Sequence, residues 1–234
     1  MKIYRLLLLK CLFFLLMSCN GQMKSIDTQP LDLENFDFQT KFSTLIPDSN
    51  KMPDVSDRYY EIKSEGLLAH TIYGDGYSIP EEPIRIEYRR ISFSYEETLA
   101  TFAGFNFNAI NLVMTLDGKM MVVNALAGEI SLKETQRFIN LLNKKYGKET
   151  KTVEKFMEKP FDIFTWELED RIIKYCIVHD DESNALKFVL DKENSTIRSG
   201  EKEPHFKAYI YLVKKEYANE VIGKMSSGDL HYCR

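Results

Sequence analysis

Alternation of apolar and polar residues predicts that most of this chain forms β-strands. Residues 84–91 alternate apolar with charged side chains, as a strand with one wet face does. Further strands are predicted where β-branched and aromatic residues cluster between turn residues. These segments are 58–63, 67–73, 107–116, 119–126, 161–168, 171–178, 185–191 and 206–213.

An Asp-Gly pair at 117–118 predicts the clearest β-hairpin. Asp-Gly favours a two-residue type I′ turn, because both central residues of that turn have positive φ. The resulting register places Asn111 opposite Asn124 and Met114 opposite Met121. Both faces of this hairpin are largely apolar, so we expect it in the middle of a sheet with cover on each side.

A second hairpin is predicted around the Glu-Asp pair at 169–170. A two-residue turn here sets Trp166 opposite Ile173, an aromatic cross-strand pair that stabilises a sheet. Cys176 then lies on the opposite face, where we expect that a returning C-terminal tail can reach it.

Helix signals are strongest after Ser131, which forms a capping box with Glu134 and precedes an apolar stripe that Gly147 ends. A similar box at Ser94 predicts a helix that stops at Gly104. Shorter helices are expected at 148–159 and 216–223. The stripe of the main helix comprises Leu132, Phe138, Ile139, Leu142 and Tyr146.

Together these elements predict an α+β fold, a mainly antiparallel β-sheet built from hairpins with two or three helices packed on it. Residues 58–234 are expected to form one globular domain. The order helix, glycine, hairpin occurs twice, so a division into halves 58–128 and 129–234 is a hypothesis. Residues 19–57 are polar and interrupted by proline, which predicts a tether.

The N-terminus is typical of an export signal, with a basic start and a brief apolar run before Cys19. Lys10 divides the apolar run, and a membrane-spanning helix needs about 20 consecutive apolar residues. Residues 1–18 are therefore predicted to be a signal peptide. The alternatives are a conventional cleaved signal without lipid and a signal anchor.

Leu16-Met17-Ser18-Cys19 resembles a bacterial lipobox. The resemblance implies that Cys19 becomes the first residue and the site of lipid attachment, with fatty acids such as palmitate. Asn20 stands where Asp would resemble an inner-membrane retention signal, and no acidic run that resembles a surface-export signal follows it. The resemblance therefore implies a bacterial lipoprotein at the inner leaflet of the outer membrane, facing the periplasm.

Cleavage before Cys19 removes 18 of 234 residues and leaves 216. Three of the 31 basic residues and none of the 35 acidic ones leave with the signal, so the mature chain has a formal charge of −7. Such a surface repels phosphate backbones, and nucleic acid is not expected as a partner.

Cys176 and Cys233 are the cysteines that remain after the signal and the lipid site. In an oxidising compartment two cysteines can form one disulfide. The alternative is a buried thiol at Cys176 and an unpaired thiol on the tail. The residues leave both states open.

Motifs for catalysis and metal binding are absent or incomplete. There is no G-x-S-x-G and no H-E-x-x-H motif, and no cofactor is predicted. Three weak matches remain. They are the S-x-x-K pattern at 199–202 in a polar loop, the acidic turn at 179–182 without EF-hand spacing, and the P-loop-like glycine spacing at 223–229 with Asp in place of Lys.

One surface feature allows two interpretations. It is either an aromatic and basic patch for glycan or peptide, or a set of ordinary outward-facing strand residues. Its members are Tyr59, Tyr60, Tyr77, Arg85, Arg89 and Arg90.

We therefore expect a membrane-tethered, non-catalytic binding or adaptor module with a protein partner. The first alternative is an inhibitor or immunity protein against an exported toxin or cell-wall hydrolase, since an acidic surface steers a protein onto basic enzymes. The second alternative is a hydrolase with a non-standard site.

Overall fold

The computed structural model describes residues 24–74, 82–92, 94, 96–179, 188–191, 194, 196–199, 205–225 and 227–234. The strands are β1 (Leu31–Asp32), β2 (Tyr59–Ile62), β3 (Glu65–Tyr73), β4 (Pro83–Arg90), β5 (Ala100–Phe102), β6 (Phe105–Phe107), β7 (Ala109–Met114), β8 (Met120–Ile130), β9 (Thr150–Phe156), β10 (Lys159–Glu167), β11 (Arg171–His179), β12 (Phe188–Asp191), β13 (Thr196–Ser199) and β14 (Phe206–Lys214). The helices are α1 (Phe42–Leu45), α2 (Leu132–Tyr146) and α3 (Ala218–Val221), with 3-10 turns at Asp48–Asn50, Lys215–Tyr217 and Gly228–Tyr232.

A long antiparallel sheet organises the fold. Within the described ranges it contains nine strands in the order β2-β3-β4-β7-β8-β14-β11-β10-β9. A small sheet, β1-β5-β6, and the hairpin β12-β13 are not hydrogen-bonded into it. The large sheet has an apolar cluster on each face, one packed under α2 and the other under the C-terminal residues. The predicted α+β class with a mainly antiparallel sheet is confirmed.

The hairpin of β7 and β8 has the predicted register at Asn111 and Asn124 but not at its turn. Met114 pairs with Met120 instead of Met121, because a bulge interrupts the ladder after Val113. Gly118 has a φ of 84°, whereas Asp117 is not in the positive-φ region. The predicted type I′ turn is therefore wrong, and a longer loop with one left-handed glycine replaces it.

The hairpin of β10 and β11 forms as predicted. Trp166 pairs with Ile173, and Cys176 pairs with Ile163 on the opposite face. The indole N–H of Trp166 also donates to the Gly147 carbonyl at 3.0 Å. This bond ties the hairpin to the end of α2.

Helix α2 confirms the strongest helix prediction. Ser131 and Glu134 form a capping box, and Gly147 follows the helix with a φ of 88°. Its buried side chains face the sheet, but Leu132 is 65% exposed and does not belong to the stripe. The buried residues of the helix are Thr135, Phe138, Ile139 and Leu142.

Two helix predictions are wrong. The segment after Ser94 forms β5 instead, because Ala100 pairs with both Leu31 and Phe107 and buries completely. Most of 148–159 forms β9, an edge strand that pairs along β10. In both segments tertiary pairing outweighs local helix propensity. The hypothesis of two helix–hairpin halves fails with the first helix.

The prediction that residues 19–57 form a tether is wrong for the described part that begins at residue 24. Ile26, Phe36 and Ile46 are almost completely buried in the cluster beneath α2. The Ile26 N–H donates to the Leu45 carbonyl, and the Leu33 N–H donates to the Thr101 carbonyl. Apolar burial overcomes the polar and proline-rich composition, so this segment belongs to the folded domain.

Residues 215–225 and 227–234, which we name the C-terminal clasp, lie across the other face of the sheet. Val221, Met225, Leu230 and Cys233 insert into the apolar cluster there. The expected helix at 216–223 is reduced to a 3-10 turn and the single turn α3. The clasp is the element that builds the candidate site.

Candidate functional site

Several predicted positions lie outside the described residues. They are the lipobox and Cys19, residues 180–182 of the acidic turn, residues 200–202 of the S-x-x-K pattern, and Tyr77. His179, the first residue of the acidic turn, lies edge-on to Phe206 with ring centres 5.3 Å apart. The P-loop-like segment is part of the C-terminal clasp, where the Gly223 N–H donates to the Cys233 carbonyl.

Cys176 and Cys233 are both free thiols, completely buried in the same apolar cluster. The Cys176 thiol donates to the Tyr232 carbonyl at 3.2 Å, so the clasp returns to β11 where the sequence placed it. Burial raises the pKa of Cys176 well above its usual value and that of Cys233 to about 12. Neither thiol is activated as a nucleophile.

The aromatic and basic patch does not form as one surface. Tyr60 packs edge-on against Phe42, which stacks on Tyr88 with ring centres 4.1 Å apart. Arg85 is buried and paired with Glu87. The alternative of ordinary outward-facing residues is equally wrong for Arg85, because the C-terminal clasp covers this face of β4.

A cavity of about 280 Å³ opens where β3, β4 and β7 meet the C-terminal clasp. Charged and polar side chains converge on it, which makes it the candidate functional site. Its lining comprises His70, Arg89, Arg90, Ile91, Asn111, Gly228 and Asp229.

The buried Arg85–Glu87 pair lies beside this cavity, on the same strand as Arg89 and Arg90. Arg85 Nε lies 2.9 Å from Glu87 Oε1, and its Nη2 donates to the Lys224 carbonyl at 3.1 Å. The other carboxylate oxygen, Glu87 Oε2, accepts from the Ser227 hydroxyl at 3.0 Å. Both charges are satisfied, and both hold the clasp to the sheet.

Arg90 and Asp229, which both line the cavity, form a second ion pair. Arg90 Nη2 lies 3.0 Å from Asp229 Oδ1, and Arg90 Nε lies 2.5 Å from Asp229 Oδ2, so the pair is bidentate. Asn111 supports both members: its Oδ1 accepts from the Arg90 backbone N–H at 2.8 Å, and its amide donates to Asp229. Asn124 and the Tyr211 hydroxyl extend the network toward β14.

Arg89 differs from its two neighbouring arginines. Its Nε is buried and has no hydrogen-bond partner. The nearest carboxylate oxygen, Glu87 Oε2, is 3.7 Å away and already accepts from Ser227. Burial lowers the pKa of Arg89, although the group remains a cation. The Arg89 side chain as a whole is 22% exposed and lines the cavity.

His70 faces the same cavity from β3, where it pairs directly with Glu87 of β4. Burial lowers the pKa of the imidazole, and the cationic groups of Arg89 and Arg58 lower it further. Glu87 opposes this shift without cancelling it. The electrostatic field at His70 is thus positive, which favours an anion and not a second cation.

The lining of the cavity is mostly polar and charged. None of the residues that line the cavity is a serine or cysteine nucleophile. Across the described residues, no group of three or more His, Cys, Asp or Glu side chains is arranged to hold a metal ion. Within the same residues, none of the helices has the length and hydrophobicity needed to cross a bilayer.

Sequence reasoning identified the arginines but not their setting. The alternation of β4 indicates one charged face, and a charged face usually lies in water. The available signal was the like spacing of Arg85, Glu87 and Arg89, which puts opposite charges side by side on one face. Asp229 and Ser227 gave no local signal, since they act only after the chain folds back.

Comparison of the chain with protein families, with curated proteins and with solved structures finds no match.

Proposed function

We propose that this protein is a non-catalytic binding module, tethered at the bacterial outer membrane through lipidated Cys19 and facing the periplasm. The observation that carries the binding role is the cavity beside the C-terminal clasp, which the partly exposed Arg89 side chain lines. The lipobox-like residues 16–19 support the membrane address. Residues 26–46 belong to the domain, so the remaining link to the lipid is short.

A second candidate function is inhibition of an exported toxin or cell-wall hydrolase. The surplus of acidic residues in the mature chain favours it, because a charge of −7 steers association with basic enzymes. Both functions require a protein partner, and the identity of that partner separates them.

Crosslinking in intact cells, followed by affinity purification and mass spectrometry, tests the binding role. We expect wild-type protein and the Arg137→Gln variant to capture the same partner, and Arg89→Gln to lose it. Arg137 is an exposed residue of α2, on the opposite face of the sheet, so this control makes the same chemical change away from the cavity. Equal capture by both variants would exclude the cavity as the binding site.

The membrane address has a separate test. Labelled palmitate is expected in the wild-type protein and not in Cys19→Ala, which should leave the membrane fraction. Incorporation of no label by the wild type, or unchanged fractionation of the variant, would overturn the lipoprotein assignment.

A further inference from the structure

We infer that the cavity binds a small oxyanion, a carboxylate or a phosphate group, between the Arg89 guanidinium and the His70 imidazole. This inference rests on the proposed binding function and names the ligand chemistry of the same site. It follows from the three arginines of β4: Arg85 and Arg90 are occupied by ion pairs with Glu87 and Asp229, and Arg89 lines the cavity.

Two of the three arginines on β4 are occupied. Arg85 is bound by Glu87 and the Lys224 carbonyl, and Arg90 is bound by Asp229. Arg89 has no carboxylate of its own, because Glu87 is shared between Arg85 and Ser227. Arg89 also lines the cavity with a side chain that is 22% exposed, so the outer N–H groups of its guanidinium can donate to an oxyanion there.

The charge balance around the cavity favours an anion. Among the residues that line the cavity, Arg89 and Arg90 are cations and Asp229 is an anion. Two against one leaves a local surplus of one positive charge in a chain whose net charge is −4. The surplus is therefore a local feature and does not reflect the general composition.

The size and geometry of the cavity restrict the ligand. Its volume of about 280 Å³ is just below the roughly 300–1,000 Å³ of pockets that enclose drug-sized ligands. It suits a single acidic group, either free or at the end of a larger partner. Guanidinium groups bind carboxylate and phosphate through paired N–H donors, so both sources share this chemistry.

Thermal unfolding of the full-length protein in detergent micelles tests the inference. We expect a saturable rise in Tm with inorganic phosphate, with citrate, or with both, relative to sodium chloride of equal ionic strength. Arg89→Gln should weaken the apparent affinity at least tenfold, and Arg137→Gln should leave it unchanged. A response to citrate alone assigns a carboxylate ligand, and a response to phosphate alone assigns a phosphate.

Nuclear magnetic resonance of His70 gives a readout that does not depend on a variant remaining folded. The charged groups that face this imidazole are Arg58 before β2 and Arg89 and Glu87 of β4. Arg90 of β4 and Asp229 of the clasp line the same cavity. An oxyanion stabilises the imidazolium, so the pKa of His70 should rise when the anion is added to wild-type protein.

The inference is overturned if neither anion raises Tm beyond the chloride control, if Arg89→Gln responds like the wild type, or if the His70 titration is unchanged. These outcomes are distinct from failure of the proposed function. A partner whose capture depends on Arg89 while no free anion binds would reject the oxyanion and retain the binding role. Anion binding without any captured partner would reject the adaptor role and retain the oxyanion site.

Discussion

Arg90 and Asp229 are separated by 139 positions in the chain, yet the Arg90 guanidinium binds both carboxylate oxygens of Asp229, at 2.5 Å and 3.0 Å. The pair joins the end of β4 to the C-terminal clasp. It lies beside Arg89 and therefore sets the shape of the cavity. Arg90, which belongs to a structural ion pair, and Arg89, the candidate binding residue, are thus neighbours on β4.

Replacement of Asp229 tests how much this pair contributes to the attachment of the clasp. Asp229→Asn should lower the free energy of unfolding by about 2 kcal/mol, because Arg90 is left partly buried without its counter-charge. Urea denaturation gives that value, and hydrogen exchange should show lost protection at 227–234. Asp162→Asn is the matched control, since its partner Lys151 is 49% exposed and such pairs contribute little. Equal unfolding free energies for the two variants would contradict the role of the pair.

Glu65 is a buried acid without a satisfactory partner, and its removal should stabilise the protein. The residue is 1% exposed, and neither carboxylate oxygen has a hydrogen bond of good geometry. Burial raises its pKa, and the neighbouring Ser94 N–H and Arg90 only partly oppose that rise. Glu65→Gln should therefore increase the free energy of unfolding at pH 7 by about 1 kcal/mol.

The pH dependence of this effect has a defined sign. A raised folded-state pKa means that the native state holds the proton more tightly than the unfolded state. Stability from Glu65 is complete below the unfolded-state pKa and is lost as the pH rises through the folded-state value. The advantage of Glu65→Gln should consequently disappear near pH 4, in melts recorded from pH 4 to 8. Glu61→Gln, at an exposed position on β2, should show no such trend.

The N-terminal segment should behave as part of the core. Ile26→Ala removes a completely buried side chain and should cost about 2–4 kcal/mol in urea denaturation. Val55→Ala, at a position that is 65% exposed, should change stability little. Limited proteolysis should leave residues 26–46 intact in the native protein. Rapid cleavage within that range would restore the tether interpretation.

The two buried cysteines should resist alkylation in the folded protein. Burial raises the pKa of both thiols, so the reactive thiolate is scarce even at pH 8. Labelling should proceed only after unfolding in urea. Parallel labelling with and without reductant then decides the Cys176–Cys233 disulfide. Equal labelling excludes it, and thiols that appear only after reduction establish it.

The sequence predicted local pairing well where one hairpin contains all the required information. The register of Asn111 with Asn124 and of Trp166 with Ile173 follows from short turns and alternating side chains. Helix α2 was equally predictable, because its capping box, stripe and glycine stop agree with one another. The turn at 117–118 differed in type, since a bulge requires positive φ only at the glycine.

Predictions failed where a distant partner decided the structure. The capping box at Ser94 and the helical spacing at 148–159 are local signals, but strand pairing with β6 and β10 outweighs them. The segment that contains residues 26–46 is polar and interrupted by proline, which predicted a tether, yet its apolar residues enter the core. They are buried because α2 and the large sheet supply the rest of their surroundings.

By itself, the sequence determined the α+β class, the main hairpins and helix α2, because these depend on residues within about 30 positions of one another. The tertiary structure alone decided that β4 has a covered charged face and that Arg89 keeps an unused donor. That outcome depends on Ser227 and Asp229 returning from the end of the chain to occupy Glu87 and Arg90. Alternation along a strand reports which side chains share a face, but it carries no information on what will later cover them.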